Sequence, residues 1–180
     1  GHVVWGLARS SQSEFVSKLA GRFCATRCDV SDWRQVEDAA AEVAGSWPNI
    51  DGLITCAGIQ GSIGRALAAD PSHWSATIRT NLEGTFNALR AFNVLLARAP
   101  RRAKIVCFSG GGGAKARANF SAYAAGKTGV VRLVETVAEE EHGRPLYINA
   151  IAPGAINTRL TDEVIALGPA IVGEIEFAAA

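Results

Sequence analysis

The chain has 180 residues, 48% hydrophobic and 19% charged, ordinary values for one globular domain with its own core. Its 18 Lys and Arg against 17 Asp and Glu leave a formal charge of +1, which gives no electrostatic case for nucleic acid or an anionic membrane. No apolar run approaches a membrane span and no leader-like segment opens the chain, so a cytoplasmic protein without membrane contact is expected.

Residues 2–8, HVVWGLA, predict a short buried strand. Ser10 and Ser11 offer caps for a polar helix reaching about Leu19. A second strand follows at 22–28 and ends at Asp29. Ser31 is the expected cap of the next helix, where Val36, Ala39, Ala40 and Val43 share a face. Residues 52–56 predict a third strand, leading into Ala57-Gly58. Asp70-Pro71 predicts an N-cap with proline at the first helical position, opening a helix that runs to about Arg98. Residues 104–108, KIVCF, are a fourth strand, ending in a glycine run at 110–113. A helix from about Ser121 turns Val130, Val131, Val134 and Val137 toward the core. Residues 146–151 are a fifth strand, closed by Pro153-Gly154, and the tail beyond Leu160 is helical with a break at Gly168-Pro169.

Strands alternate with helices, and most strands are continuous apolar runs. Both sheet faces are therefore expected to be covered, in a Rossmann-like, doubly wound parallel α/β fold forming a single domain over 1–180. Cys24, Cys28, Cys56 and Cys107 do not match a metal-binding spacing and are expected to be buried, reduced thiols; no metal site is predicted. The chain has no methionine, opens on a strand and stops in an alanine-ending stretch, features expected of a piece of a longer protein.

In such folds ligands bind at the carboxyl ends of the strands. That rule singles out 7–9, Asp29, 56–58, Ser109-Gly110 and Pro153-Gly154. The sharpest feature is Tyr123-Ala-Ala-Gly-Lys127, because helix positions i and i+4 share a face. An ammonium beside a phenol favours the phenolate and is expected to lower its pKa, suiting proton exchange near neutral pH. Upstream, Asn81 lies inside a predicted helix, where its poor propensity invites a functional reason.

Together, CDVSD (28–32), CAG (56–58), TNLEGTF (80–86), KIVCFSG (104–110), YAAGK (123–127) and INAIAPGAINT (148–158) resemble the short-chain dehydrogenase/reductase family over essentially the whole chain. The closing motifs are similar to members described as 3-oxoacyl-[acyl-carrier-protein] reductase-like. The resemblance implies an oxidoreductase that moves hydride between a nicotinamide and an alcohol or carbonyl substrate. Tyr123 then resembles the acid/base, Lys127 its pKa-lowering and ribose-binding partner, and Asn81 the holder of a relay water. Asp29 and Val30 resemble the adenine-binding pair, and Cys56, Ala57 and Gly58 a cofactor-side motif. Pro153, Gly154, Ile156 and Thr158 resemble the stretch that binds the carboxamide. The position that selects NAD when acidic is the neutral Leu7, and Arg9 could meet a 2′-phosphate, so NADP is expected over NAD. Pairing through the long helices, as homodimer or homotetramer, is also implied.

Three departures bear on these expectations. Counting back from Tyr123, the family's substrate-orienting serine falls on Gly110, with Ser109 one residue earlier; Ser109 is expected to serve from a shifted loop. Thr55 and Cys56 stand where the family has asparagines. The family's first strand, its TGxxxGxG turn and its last strand have no match in the chain. That first strand belongs between 2–8 and 52–56, so the sheet is expected either to split or to close up out of order. The rival expectation is a truncated or degenerate, non-catalytic relative.

Overall fold

The computed structural model describes residues 1–19 and 21–180. The strands are β1 (Val4–Ala8), β2 (Phe23–Arg27), β3 (Gly52–Thr55), β4 (Ala103–Phe108) and β5 (Leu146–Ile151). The helices are α1 (Ser13–Lys18), α2 (Trp33–Ser46), α3 (Pro71–Ile78), α4 (Gly84–Ala97), α5 (Gly111–Ala114), α6 (Ser121–Glu140), α7 (Arg159–Leu167), α8 (Pro169–Val172) and α9 (Glu174–Ala178). Every strand pair is parallel, with helical crossovers between strands, and the fold is Rossmann-like.

The sheet is split. Among the described residues β1 pairs only with β2, while β3, β4 and β5 form a separate sheet in that order. This is the first of the two outcomes expected for a chain without a strand between 2–8 and 52–56. A helix layer links the pieces. Trp5 of β1 meets Trp47, just past α2, edge-on with ring centroids 5.3 Å apart. Leu7 packs both on the main core and on the small cluster of Cys28, Val36 and Ala39. The main core joins Ala40 and Val43 of α2, Leu89, Phe92, Leu95 and Leu96 of α4, and Val130 and Val134 of α6 with alternate residues of β4.

That alternation corrects the expectation of two covered faces. Ala103, Ile105 and Cys107 are buried, and Ile148 lies on their side. On the opposite face Ile54, Tyr147 and Ile151 are 67%, 49% and 38% exposed. The apolar runs read as strands buried on both sides, but residues of opposite parity meet few neighbours among the described residues.

Two helix starts also differ from expectation. α2 is capped by Asp32, which accepts from the backbone N–H groups of Arg34 and Gln35. Ser31 is diverted, its hydroxyl donating to Asp29 at 2.7 Å. α1 begins at Ser13, later than Ser10 or Ser11 would place it, and its N-cap Gln12 makes no side-chain bond. Asp70 does cap α3, accepting from His73 N with Pro71 in the first turn.

The long helix from Pro71 is interrupted by a π-helical turn, Arg79–Glu83. Such turns insert one residue into an α-helix and collect at functional sites. Here the turn carries Asn81, whose carboxamide is anchored to Ile59 by two hydrogen bonds of 2.9 Å. Gly126 lets α6 approach: a Cβ there would lie 3.1 Å from that of Asn81. The tail breaks where expected, at Gly168 with φ +73° before Pro169.

Candidate active site

The parallel register aligns the strand ends. Ala8 pairs with Arg27, Thr55 with Cys107, and Phe108 with Ile151. The residues that follow are those the sequence singled out.

Tyr123 and Lys127 occupy the first turns of α6. Lys127 is only 4% exposed. Its Nζ donates to the Phe108 carbonyl at 2.9 Å and lies 6.0 Å from the Tyr123 ring centre. Burial pulls its pKa down to about 8, with the nearby Cys56 and Cys107 acting in the other direction. Gly58 backs this amine: a Cβ at that position would lie 3.2 Å from Asn81 Oδ1 and 3.3 Å from Lys127 Nζ. The structure therefore brings Asn81, Gly58, Lys127 and Tyr123 into one cluster. Asn81 is fully buried, and its Oδ1 and Nδ2 are both engaged by the Ile59 backbone.

The expected electrostatic effect of Lys127 on Tyr123 is corrected. Burial raises the phenol pKa, and the charge that opposes this rise comes from Arg117. Lys127 shares the helix face, but its ammonium is turned to the Phe108 carbonyl.

Ser109, expected to serve from a shifted loop, is engaged by the start of α6. The residue is 6% exposed; its hydroxyl donates to the Lys127 carbonyl at 2.9 Å, and its N–H donates to Ile151 O. Gly110 instead faces the phenol: a Cβ there would lie 2.3 Å from Tyr123 Oη. The glycines that follow coil into α5 because Gly113 N donates to Gly110 O at 2.8 Å. A side chain at Gly113 would meet Ser109 Oγ at 2.2 Å, so this turn closes directly over Ser109.

At the end of β2, Asp29 accepts from the N–H and the hydroxyl of Ser31. Desolvation raises its pKa, but the Ser31 bonds and the Arg9 charge outweigh that and hold it below the usual carboxylate value. Arg9 Nη1 is 4.0 Å from Asp29 Oδ2. Val30 is pinned through its carbonyl by Asn87 at 2.9 Å and packs on Gly84, where a Cβ would come within 2.6 Å of Val30 Cγ2. Arg27, which the sequence reading passed over, donates from Nε to the Arg9 carbonyl at 3.1 Å. Lining up the carboxyl ends of β1 and β2 would have found it.

Cys56 and Ala57 are exposed, as are Pro153, Gly154, Ile156 and Thr158, which form an open loop after β5. The expectation of four buried thiols is half right: Cys28 and Cys107 are buried, Cys24 and Cys56 exposed.

The donor set fits a dinucleotide. Arg9 and Arg27 offer two guanidinium groups to a phosphate, Asp29 a carboxylate to a polar base or sugar, and Lys127 an ammonium to a hydroxyl. No cluster of three or more His, Cys, Asp or Glu suited to a metal occurs among the described residues. No helix among them is long and apolar enough to cross a membrane.

A parallel α/β fold with polar groups gathered at its strand ends, and a tyrosine and lysine one helical turn apart, defines a Rossmann-type protein. A family model described as short chain dehydrogenase matches residues 2–166, and the chain belongs to this family of oxidoreductases. It is 30% identical over 154 residues to the short-chain dehydrogenase/reductase ABA4 of Pyricularia oryzae, covering 84% of this chain and 56% of that one. It is 31% identical over 136 residues to the 3-oxoacyl-[acyl-carrier-protein] reductase FabG of Thermotoga maritima, covering 76% and 54%. The crystal structure of levodione reductase superposes with a TM-score of 0.85 at 30% identity, covering 99% of this chain and 70% of that one. The chain thus spans little more than half the length of the curated relatives it matches.

Proposed function

We propose that this chain carries the proton-transfer part of an NADP-preferring oxidoreductase acting on an alcohol or carbonyl, with Tyr123 as acid/base. One observation carries the reading: Tyr123, Lys127, Asn81 and Gly58 gather beside the ends of β3 and β4. When bound, the nicotinamide supplies or accepts the hydride. In the reducing direction Tyr123 donates its phenolic proton to the substrate oxygen as negative charge develops there. Lys127 holds a hydroxyl of the cofactor's ribose, and Asn81 keeps the segment around Ile59 in place while organising a proton path. Asp29 and Val30 would receive the adenine end, and Pro153, Gly154, Ile156 and Thr158 would hold the carboxamide end. Cys56, Ala57 and Gly58 line the middle.

NADP preference is supported by Arg9 with Arg27 beside it, and by the neutral Leu7; the Asp29 carboxylate near Arg9 tempers it. The substrate class is supported by two relatives named as reductases, one of them of a 3-oxoacyl group. Ser109 would serve the substrate oxygen by turning its hydroxyl from the Lys127 carbonyl, with Tyr123 as the second donor. Within this reading the protein is a single-domain, cytoplasmic enzyme that associates with copies of itself, for which the half-exposed Phe86 and Val94 of α4 are suited.

The test is Tyr123→Phe in the full-length enzyme. Turnover falls by about two to four orders of magnitude, the usual contribution of a general acid. Cofactor affinity stays nearly constant, because the phenol acts in the transition state. A variant keeping most of its kcat would remove Tyr123 from this role.

A further inference from the structure

Arg117 lies between α5 and α6, and its side chain is only 15% exposed. Its guanidinium carbon sits 3.7 Å from the ring centre of Phe120 and 5.4 Å from that of Tyr123. Its Nε donates to Glu176 of α9 at 2.5 Å, and its Nη1 to Gln60 Oε1 at 3.3 Å. Glu176 is itself only 17% exposed. Beneath this pair Phe120, Val164 and Val172 form a closed apolar cluster, with Tyr123 and Phe177 packed against it. An ion pair this far out of water is a poor stabiliser, since desolvation offsets the attraction. Its place over the phenol ring calls for another account.

Among the described residues, the charged groups facing Tyr123 are few. Arg117 comes from the connection before α6, Glu176 from α9 through Arg117, and Lys127 from Tyr123's own helix. Residues 60–63 and 109–113 bring only neutral groups. α7 turns Val164 to the cluster, while its Arg159, Asp162 and Glu163 are exposed. Lys127 is committed to the Phe108 carbonyl, whereas an arginine stays charged at any working pH.

We propose that Arg117 is a positioning residue for Tyr123: its fixed charge on the ring face sets the proton affinity of the phenol, and Glu176 partly offsets that charge. This inference rests on Tyr123 being the acid/base. It assigns to a loop arginine and the C-terminal helices a task that the Tyr-Lys spacing alone gives to Lys127. Burial pushes the phenol up, and the Arg117 charge pulls it back.

The chain has two tyrosines, Tyr123 and Tyr147, and Tyr147 lies exposed on β5. In a Tyr147→Phe background the phenol that remains can be titrated directly, by NMR of labelled tyrosine ring carbons. Arg117→Gln raises the Tyr123 pKa by about one unit, the low end for an opposite charge at this range. Glu176→Gln moves it the other way, and Arg117→Lys leaves it near the native value. Loss of a purely structural contact would shift both neutral variants alike. No shift in either, or shifts of the same sign, overturns the proposal. Should Arg117→Gln fail to fold by circular dichroism, Glu176→Gln still decides it: a downward shift supports it, and none or an upward one refutes it. The titration does not depend on activity. Failure of Tyr123→Phe to lower turnover would remove the catalytic reading, while failure here would remove only the part given to Arg117.

Discussion

Replacing Lys127 with methionine tests the central electrostatic feature of the cluster. The amine is 4% exposed and has one described hydrogen bond, to Phe108 O at 2.9 Å. Burial lowers its pKa from 10.5 to about 8. At about 1.4 kcal/mol per pKa unit, keeping it protonated in the fold costs roughly 3 kcal/mol below the folded pKa. The sign follows from proton counts. Between the folded and unfolded values the unfolded chain binds more protons, so stability rises with pH. The benefit of the neutral amine is complete above 10.5 and lost as pH falls through about 8. Methionine has no such dependence. Losing the bond to Phe108 O costs the variant about 1–3 kcal/mol at every pH, so the absolute difference is less informative than its slope. Urea unfolding of both proteins from about pH 7 to about pH 9.5 should show the wild type gaining roughly 2 kcal/mol on Lys127→Met. The Cys107 thiol beside the amine, raised by its own burial, remains in both proteins. A pH-independent difference would refute a buried, depressed lysine.

Three further outcomes are expected. Gly110→Ser puts a Cβ 2.3 Å from Tyr123 Oη, so the phenol must move; the cost is about 1–3 kcal/mol with an altered Tyr123 ring signal, and an unchanged melt and spectrum would show that the contact is absent. Gly61→Ala meets both φ +71° and Thr77 Oγ1 at 2.0 Å, whereas Gly143→Ala meets only φ +86° in open space; the first should lose roughly 2 kcal/mol or more and the second about 1, and equal losses would discount the Thr77 contact. The 180-residue chain contains no TGxxxGxG turn to receive a pyrophosphate; NADP titrated by fluorescence should show no saturable binding in the micromolar range, and tight binding would mean that Arg9, Arg27 and Lys127 suffice.

Local pattern made much of the fold legible. Asp70-Pro71 marked a helix start, the four apolar residues of α2 marked its buried face, and Gly168-Pro169 marked a break, because each depends on residues within a turn or two of chain. Ser31 and Asp32 show where local pattern is degenerate. Either can cap a helix, and the choice fell to Asp32 once Ser31 was engaged by Asp29. The π-helical turn at Asn81 left no mark in the spacing, since its visible anchors are Ile59 and Gly126, far away in sequence.

By itself the sequence determined the parallel α/β class and marked Tyr123, Lys127 and Asn81 as candidates, through hydrophobic runs, motif order and helical spacing, but it left open whether the sheet would split or close up out of order; that choice is seen only in the strand pairing. Tertiary structure alone decided how those side chains are used. It buried Lys127 against Phe108 O, turned Ser109 to the Lys127 carbonyl and set Gly110 beneath the phenol. It also brought Arg117 and Glu176 together over Tyr123 across 59 residues of chain. The physical reason is range. Spacing along a helix says which residues share a face, but the proton affinity of a buried group depends on every charge and dipole that folding places around it.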